Sequence, residues 1–242
     1  MTLNAPILDK GELRIRRMFG EIAPVYDRLN HVLSLNIDKL WRKKTVRDVP
    51  LTTGPLLDLC TGTGDLAIDY FKATGGKFDI VGADFCHPML VRASAKARTR
   101  KGGEKIHWIE ADAQQLPFPD DTFEVVTVSF GLRNVTDTMK GLREMTRVAK
   151  PGGKIAVLEF SRPRNWFFSR VYKFYFRRVL PTIGQVVSKS PENAYNYLPE
   201  SVMQFPDGET LAQMMREAGL ESVSFTPLTF GIATLYIGRK PT

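Results

Sequence analysis

The sequence predicts an α/β fold in which helices cover both faces of a seven-stranded, mostly parallel sheet. Three observations lead to this prediction. Residues 54–160 alternate short apolar runs with helical segments, which is typical of parallel strands joined by crossover helices. A glycine-rich turn at residues 61–64 follows the first apolar run. Residues 222–238 contain two further apolar runs around Pro227 and Gly231, which indicates an antiparallel C-terminal hairpin at the sheet edge.

The first part of the core contributes two strand–helix units. The apolar run at residues 55–60 predicts the first strand, because it stops at the turn sequence Thr-Gly-Thr-Gly. Residues 65–73 then have helical periodicity. A second apolar run at residues 78–83 predicts a buried strand that ends at Asp84. Residues 88–100 favour a helix because they are rich in alanine, arginine and lysine.

Three more strands complete the parallel part of the sheet. Residues 105–111 and 123–130 are predicted to be the third and fourth strands. Residues 136–150 form an amphipathic pattern that a Pro-Gly-Gly sequence stops, which indicates a helix. The apolar run at residues 155–160 predicts the fifth strand.

The alternation of strands and helices ends after residue 160. A helix is predicted at residues 208–219, with Gly219 as its C-terminal cap, before the hairpin strands at 222–226 and 233–238. We therefore expect one domain over residues 1–242. Its parts are an N-terminal helical arm (1–50), a cofactor-binding core (51–160), an aromatic and basic lid insertion (161–206) and a C-terminal helix with the hairpin (207–242).

Composition excludes several classes of protein. The 242 residues contain 34 Lys and Arg against 26 Asp and Glu, so the formal net charge is +8. This surplus favours an anionic partner without choosing among nucleic acid, membrane surface and phosphorylated ligand. Two cysteines and three scattered histidines predict neither a disulfide framework nor a bound metal. The sequence shows no secretory signal and no apolar run of about 20 residues, so we expect a cytoplasmic protein.

The turn after the first strand carries the candidate cofactor-binding glycines, Gly62 and Gly64. Glycines in such a turn let a ligand lie against backbone N–H groups at a helix N-terminus. Residues 62–67 match the loose G-x-G-x-x-A form of the dinucleotide fingerprint. The match alone does not distinguish a nucleotide-binding site from a purely structural turn. Asp65 would repel a pyrophosphate at this position and would attract a cation. A phosphate-free, cationic ligand such as S-adenosylmethionine therefore suits the turn best.

Acidic residues follow three successive strands of the predicted sheet. Asp84, at the end of the second strand, is placed to accept hydrogen bonds from ribose hydroxyls. Asp112 and Ala113, after the third strand, are placed beside an adenine amine. Capping of loops is the alternative explanation for Asp84 and Asp112. Together with Asp58 and Asp65, these acids are expected to line the crevice at the carboxyl edge of the sheet.

Several runs make the sequence resemble the class I S-adenosylmethionine-dependent methyltransferases, which have a Rossmann-like sheet. Within that class it resembles the ubiquinone/menaquinone biosynthesis C-methyltransferases, over residues 17–242. The class-level runs are residues 58–67, 81–84, 111–113 and 150–153. The more specific runs are residues 18–30 (MFGEIAPVYDRLN), 33–34, 41–42, 130–134 (FGLRN), 158–163 (LEFSRP) and 195–201 (YNYLPES).

The resemblance implies methylation of a ring carbon on a prenylated demethylmenaquinol or a related quinol. Such a carbon becomes nucleophilic when the neighbouring phenol, with a pKa of about 10, is ionised. The resemblance places Arg133 where it can stabilise the phenolate, directly or through a water. It places Asn134 where it can orient the ring or the methionine group. A surface ion pair between Arg133 and Asp137 is the alternative.

The resemblance also assigns residues around the cofactor. Thr63 resembles a cofactor-contacting position of the family, and Ser129 is placed at the end of the fourth strand, where it can touch the cofactor. Tyr26, Asp27 and Asn30 of the arm are placed to close the site from above, with helix packing and capping as the alternative. No cysteine follows the fourth strand, so a covalent cysteine mechanism is not supported.

The predicted lid insertion is rich in aromatic and basic residues at residues 162–178. Arg170, Lys173 and Arg177 share one face of a helix, a pattern typical of segments that bind anionic lipid. The sequence therefore predicts peripheral contact with the inner face of a membrane, with a lid packed on the domain as the alternative. The competing functions are methylation of RNA or of another small aromatic substrate, a dehydrogenase activity, and a binding module without catalysis. We expect no nucleic-acid partner.

Overall fold

The strands and helices follow one another along the chain largely as predicted. The computed structural model describes residues 11–164, 166, 170 and 194–242. In these residues the strands are β1 (Leu56–Leu59), β2 (Ile80–Asp84), β3 (His107–Glu110), β4 (Phe123–Ser129), β5 (Ala149–Phe160), β6 (Glu221–Leu228) and β7 (Ala233–Arg239). The helices are α1 (Glu12–Ile22), α2 (Tyr26–Leu33), α3 (Ile37–Asp48), α4 (Asp65–Ala73), α5 (His87–Arg98), α6 (Thr138–Val148), α7 (Ala194–Gln204) and α8 (Glu209–Glu217).

All seven strands belong to one sheet, in the order β3-β2-β1-β4-β5-β7-β6. Strands β1 to β5 run parallel, and β7 lies antiparallel between β5 and β6. This topology confirms the predicted mostly parallel sheet with its C-terminal antiparallel hairpin. The chain winds outward from β1 to β3 and then returns to place β4 on the other side of β1. The winding direction therefore reverses between β1 and β4, where open α/β sheets bind their ligands.

Neighbouring residues of the central strands face opposite sides of the sheet. Leu57 and Val126 belong to a core under α6 and α8, whereas Leu56 and Val125 belong to a core under α4. This alternation follows from the pleat of a strand, which sends successive side chains to opposite faces. All four side chains are fully buried, so the helices cover both faces of the sheet.

All seven strands differ from their predicted boundaries by at least one residue, and the physical reasons are clear for β3, β5 and β6. β3 begins at His107 because Gly103–Lys105 form a 3-10 turn after Gly102, which has a positive φ. β5 begins at Ala149, and a register shift opposite Phe123 and Val125 accommodates its Pro-Gly-Gly sequence. β6 extends through Pro227, which pairs with Thr234. Proline is tolerated there because β6 is an edge strand.

The helical arm packs over the carboxyl end of the sheet. Ile15 and Met18 of α1 are almost fully buried against Met89 of α5 and Tyr197 of α7. Trp41 of α3 packs against the core under α4, and its indole N–H donates to the Thr229 hydroxyl at 2.8 Å. The arm is thus fixed to the domain by apolar contacts at both ends.

Most of the predicted lid insertion lies outside the described residues. This includes Lys173 and Arg177 of its basic face, whereas α7 belongs to its C-terminal end. Among the described residues, no helix is both long enough and apolar enough to span a bilayer.

Candidate active site

A cavity lies at the point where the winding of the sheet reverses. It encloses about 740 Å³, part of it open to solvent, and α1 and α2 border it from above. The residues that line it come from the ends of β1 to β4, the arm and the start of α5. They are Glu12, Ile15, Phe19, Tyr26, Leu59, Cys60, Gly62, Asp84, Phe85, Met89, Ala111, Asp112, Ala113, Gln114, Ser129, Phe130, Gly131, Asn134, Val135 and Thr136.

The glycine turn forms the floor of this cavity. Gly62 has a φ of 56°, and the Tyr26 ring lies 3.8 Å from the position that a Cβ would take on it. Gly64 has a φ of 80°, and a Cβ there would lie 2.4 Å from the Trp108 ring. Left-handed backbone favours glycine at both positions, and close packing against Trp108 also excludes a side chain at Gly64. Gly62 lines the cavity, whereas Gly64 contributes only its backbone shape.

Asp84 is the buried carboxylate at the end of β2. Its two oxygens accept backbone N–H groups from Gly62 and Cys86, each at 2.8 Å. Burial raises the pKa of Asp84 to about 6, although these N–H groups favour the charged form. The carboxylate is thus ionised at neutral pH, and it borders the cavity with acceptor capacity left over.

Asp112, Ala113 and Ser129 line the other side of the cavity. Asp112 accepts the Gln114 backbone N–H at 2.9 Å, which fixes its carboxylate after β3. The Ser129 hydroxyl is buried and has no hydrogen-bond partner among the described residues. A buried hydroxyl without a partner is rare in folded proteins, so this atom is available for a ligand in the cavity.

Asp58 does not line the cavity. It lies inside β1, and its carboxylate accepts the Thr61 hydroxyl at 2.6 Å and the Thr127 hydroxyl at 2.7 Å. Burial raises the pKa of Asp58 to about 6. These hydrogen bonds connect the glycine turn to β4, so Asp58 stabilises the conformation of the turn without lining the cavity.

The expectation that Asp65 faces the ligand is wrong. Its carboxylate contacts Lys96 at 2.8 Å and Arg42 at 3.2 Å, on the outer side of the turn. Burial opposes its ionisation, but these two cations outweigh that effect and lower the pKa of Asp65. Thr63 lies on the same outer side, where its hydroxyl bonds to Asp27 and accepts from Lys96. Of the four expected acids, only Asp84 and Asp112 line the cavity.

Arg133 is buried beside the cavity, in the 3-10 turn Leu132–Asn134. Its guanidinium donates to Glu159 at 2.8 Å and to the Phe130 carbonyl, and it lies 5.3 Å from the centre of the Phe160 ring. The alternative partner Asp137 instead caps α6 by accepting the Lys140 backbone N–H. Glu159 is only 1% exposed, so the ion pair fixes the turn that carries Asn134.

Asn134 and Tyr26 contribute polar groups to the cavity wall. The Asn134 side-chain oxygen accepts the Tyr197 hydroxyl at 3.1 Å, which orients the amide. Burial raises the pKa of the Tyr26 hydroxyl above its ordinary value, although its bond with Asn30 acts in the opposite direction. Tyr26 is therefore neutral at physiological pH and can donate a hydrogen bond.

Two residues of this site received no role from sequence reasoning. Glu159 belongs to the LEFSRP run and Tyr197 to the YNYLPES run, but neither pattern says which side chain its members contact. Their partners lie 26 and 63 residues away along the chain. Only the fold could pair them.

A second group of potential ligand atoms belongs to His31, Asp38 and Asp65, which lie within 4.8 Å of one another. The Arg42 guanidinium contacts Asp38 at 2.8 Å and Asp65 at 3.2 Å. The Arg42 guanidinium therefore already neutralises these carboxylates, so their proximity does not indicate a metal site.

Comparisons with known proteins agree with this architecture. The model of the ubiE/COQ5 methyltransferase family matches residues 7–240. The ubiquinone/menaquinone biosynthesis C-methyltransferase UbiE of Geobacter sulfurreducens is 45% identical over 97% of this chain and 91% of that protein. The demethylmenaquinone methyltransferase of Thermus thermophilus is 48% identical over 93% of this chain and its whole length. The chain shares its fold with the [4+2]-cyclase SpnF, at a TM-score of 0.70 and 18% identity over 94% of this chain and 96% of that one. The chain belongs to the ubiE/COQ5 methyltransferase family.

Proposed function

We propose that this protein transfers a methyl group from S-adenosylmethionine to a ring carbon of a prenylated demethylmenaquinol. The names of both curated relatives refer to menaquinone, and they match nearly the whole chain at 45% and 48% identity. That near full-length similarity is the observation that carries the proposal. The cavity supports it, because it combines polar groups at the strand ends with apolar groups under the arm.

The polar half of the cavity fits the adenosyl cofactor. Asp84 offers carboxylate oxygens for ribose hydroxyls, and Asp112 offers acceptors for an adenine amine. The Ser129 hydroxyl, which has no partner in the described part of the chain, offers one further hydrogen bond. When bound, S-adenosylmethionine supplies a methyl group activated by its sulfonium charge. Asp58, Thr63 and Gly64 hold the turn in shape from outside the cavity.

The apolar half of the cavity fits an aromatic ring with a hydrocarbon tail. Its lining includes large apolar side chains from α1, the start of α5 and the ends of β2 and β4: Ile15, Phe19, Phe85, Met89 and Phe130. The Tyr26 hydroxyl and the Asn134 amide lie among them and can hydrogen-bond quinol oxygens. A quinol ring would thus be oriented by polar groups inside an apolar wall.

The buried Arg133 guanidinium supplies positive charge next to this wall. Arginine stays protonated in proteins, so its role is electrostatic: it favours the phenolate form of the quinol, whose free pKa is about 10. Its bond to Glu159 holds it behind the Phe130–Asn134 loop instead of inside the cavity. The ring proton released after methylation then leaves to solvent or to a bound water.

The direct test incubates the purified protein with radiolabelled S-adenosylmethionine and demethylmenaquinol in detergent micelles, followed by chromatography of the quinone fraction. We expect label in menaquinone. Parallel incubations contain demethylated benzoquinol, transfer RNA or NAD⁺ in place of demethylmenaquinol. Label in RNA, or binding of NAD⁺ without binding of S-adenosylmethionine, would contradict the proposal.

Affinity for S-adenosylhomocysteine is expected to fall as the pH drops through about 6, the raised pKa of Asp84. Below that pH the Asp84 carboxyl group of the free protein is protonated. This proton must be lost when the ribose hydroxyls of the ligand bind to the carboxylate. The loss should approach tenfold per pH unit for one linked proton. Titration calorimetry measures the profile, and Asp84→Asn should flatten it. An equally steep profile in Asp84→Asn would assign the proton to another group.

We also propose that the protein touches the membrane that holds its substrate, through an exposed patch on the arm and the C-terminal hairpin. Leu35, Leu40 and Phe230 are 76%, 62% and 67% exposed, and exposed Lys39 and Lys43 lie on α3. The hydrogen bond from Trp41 to Thr229 brings these two segments together. Apolar groups beside cations favour an anionic lipid surface.

Cosedimentation with phosphatidylglycerol vesicles tests this patch. We expect binding that is weaker with phosphatidylcholine and reduced severalfold by Leu40→Ser combined with Phe230→Ser. Equal binding of the double variant would show that the patch is not the contact.

A further inference from the structure

Lys96 lies at a junction of three segments of the chain. Its ammonium group, on α5, contacts Asp27 of α2 at 2.8 Å, Thr63 of the glycine turn at 2.9 Å and Asp65 of α4 at 2.8 Å. An ammonium group has three N–H donors, and each has a separate acceptor here. The Lys96 side chain is 25% exposed, so solvent reaches the junction only in part.

The junction lies directly behind the cavity wall. Asp27 follows Tyr26, and Thr63 follows Gly62, so two of the three partners of Lys96 are chain neighbours of cavity-lining residues. The Thr63 hydroxyl also donates to Asp27, which closes a ring of hydrogen bonds around the ammonium group. On the cavity side of this ring, the Tyr26 ring covers Gly62.

We propose that Lys96 is a positioning residue for the adenosyl cofactor: it fastens the start of α2 to the glycine turn and so holds Tyr26 over Gly62. This proposal rests on the proposed function. Without the ammonium group, Asp27 would face Asp65 across the turn with no cation between them, whereas Asp65 would keep Arg42. The two like charges would then favour a separation of α2 from the core.

The Lys96 contacts differ from an ordinary surface ion pair. Lys44 and Asp48 form such a pair within α3, with similar exposure of 28% and 26%. That pair joins residues of one helix, so its loss leaves the arm attached to the core. Lys44→Met is therefore the matched control for Lys96→Met, since both changes remove one ammonium group and keep the aliphatic stem.

The test combines hydrogen–deuterium exchange with titration calorimetry of S-adenosylhomocysteine. In Lys96→Met, we expect faster exchange in residues 26–33 of the ligand-free protein and affinity weakened by about tenfold or more, the scale of a charge-assisted hydrogen bond. Asp27→Asn should have the same effects, and the double variant should lose little more than either single one. Lys44→Met should change neither exchange nor affinity.

Unchanged exchange in α2, or unchanged affinity, in both Lys96→Met and Asp27→Asn would overturn the proposal. Fully additive losses in the double variant would overturn it as well, because they would show that the two residues act separately. If Lys96→Met does not fold, Asp27→Asn decides by the same criteria. If the wild-type protein binds no S-adenosylhomocysteine, the proposed function fails, and exchange in α2 still decides whether Lys96 holds the arm.

Discussion

Replacement of Arg133 by alanine is expected to lower the free energy of unfolding by about 3–5 kcal/mol and to abolish most methyl transfer. The stability loss follows because the Glu159 carboxylate, 1% exposed, would remain buried without its cation. Two backbone N–H groups, those of Arg133 and Phe160, donate to the same carboxylate at 3.3 and 2.9 Å, but they cannot replace a full charge. Urea denaturation and turnover with demethylmenaquinol measure the two effects.

A double variant separates the structural part of this effect from the catalytic part. Arg133→Met combined with Glu159→Gln removes both charges and keeps the side-chain volumes close to the original ones. We expect it to regain most of the lost stability, because neutral replacements of a buried ion pair are well tolerated. Its turnover should stay at least tenfold below wild type if the Arg133 charge favours the phenolate. Recovery of full turnover in the double variant would show that the charge serves only the fold.

Replacement of Asp84 by asparagine is expected to weaken the binding of S-adenosylhomocysteine by about 100-fold, with little change in folding stability. The affinity loss corresponds to about 2.7 kcal/mol, which is within reach of one or two hydrogen bonds to a charged acceptor. The free energy of unfolding should change little because the pKa of Asp84 is raised in the folded protein. Burial raises the pKa of Asp84 to about 6, so the folded state disfavours the ionised carboxylate at neutral pH. Removal of this buried charge offsets the loss of one of the two backbone hydrogen bonds, because asparagine has only one side-chain acceptor oxygen.

Asp79→Asn is the matched control for this variant. Asp79 is exposed and precedes β2, at the opposite end of the strand from Asp84. Calorimetry should give wild-type affinity for Asp79→Asn, and thermal melts should place both variants close to wild type. A loss below threefold in Asp84→Asn would remove Asp84 from the cofactor site.

The acids around the glycine turn differ in how far their side-chain directions follow from the sequence. Asp84 and Asp112 line the cavity, as expected from their place at strand ends, because the carboxyl ends of parallel strands share one edge of the sheet. Asp65 is as close to the glycines along the chain, yet it faces Lys96 and Arg42 on the outer side. The direction of a side chain at a helix start depends on the groups that pack there, and those come from α5 and the arm.

The order of strands and helices, the hairpin and the place of the glycine turn all follow from sequence patterns. These depend on apolar periodicity and backbone conformation, which are local properties of the chain. Tertiary packing alone pairs Arg133 with Glu159, orients Asn134 through Tyr197 and joins the arm to the turn through Lys96. Each of these contacts joins residues at least 26 positions apart. Periodicity predicts which face a side chain occupies, but the partner on that face is set by the packing of distant segments.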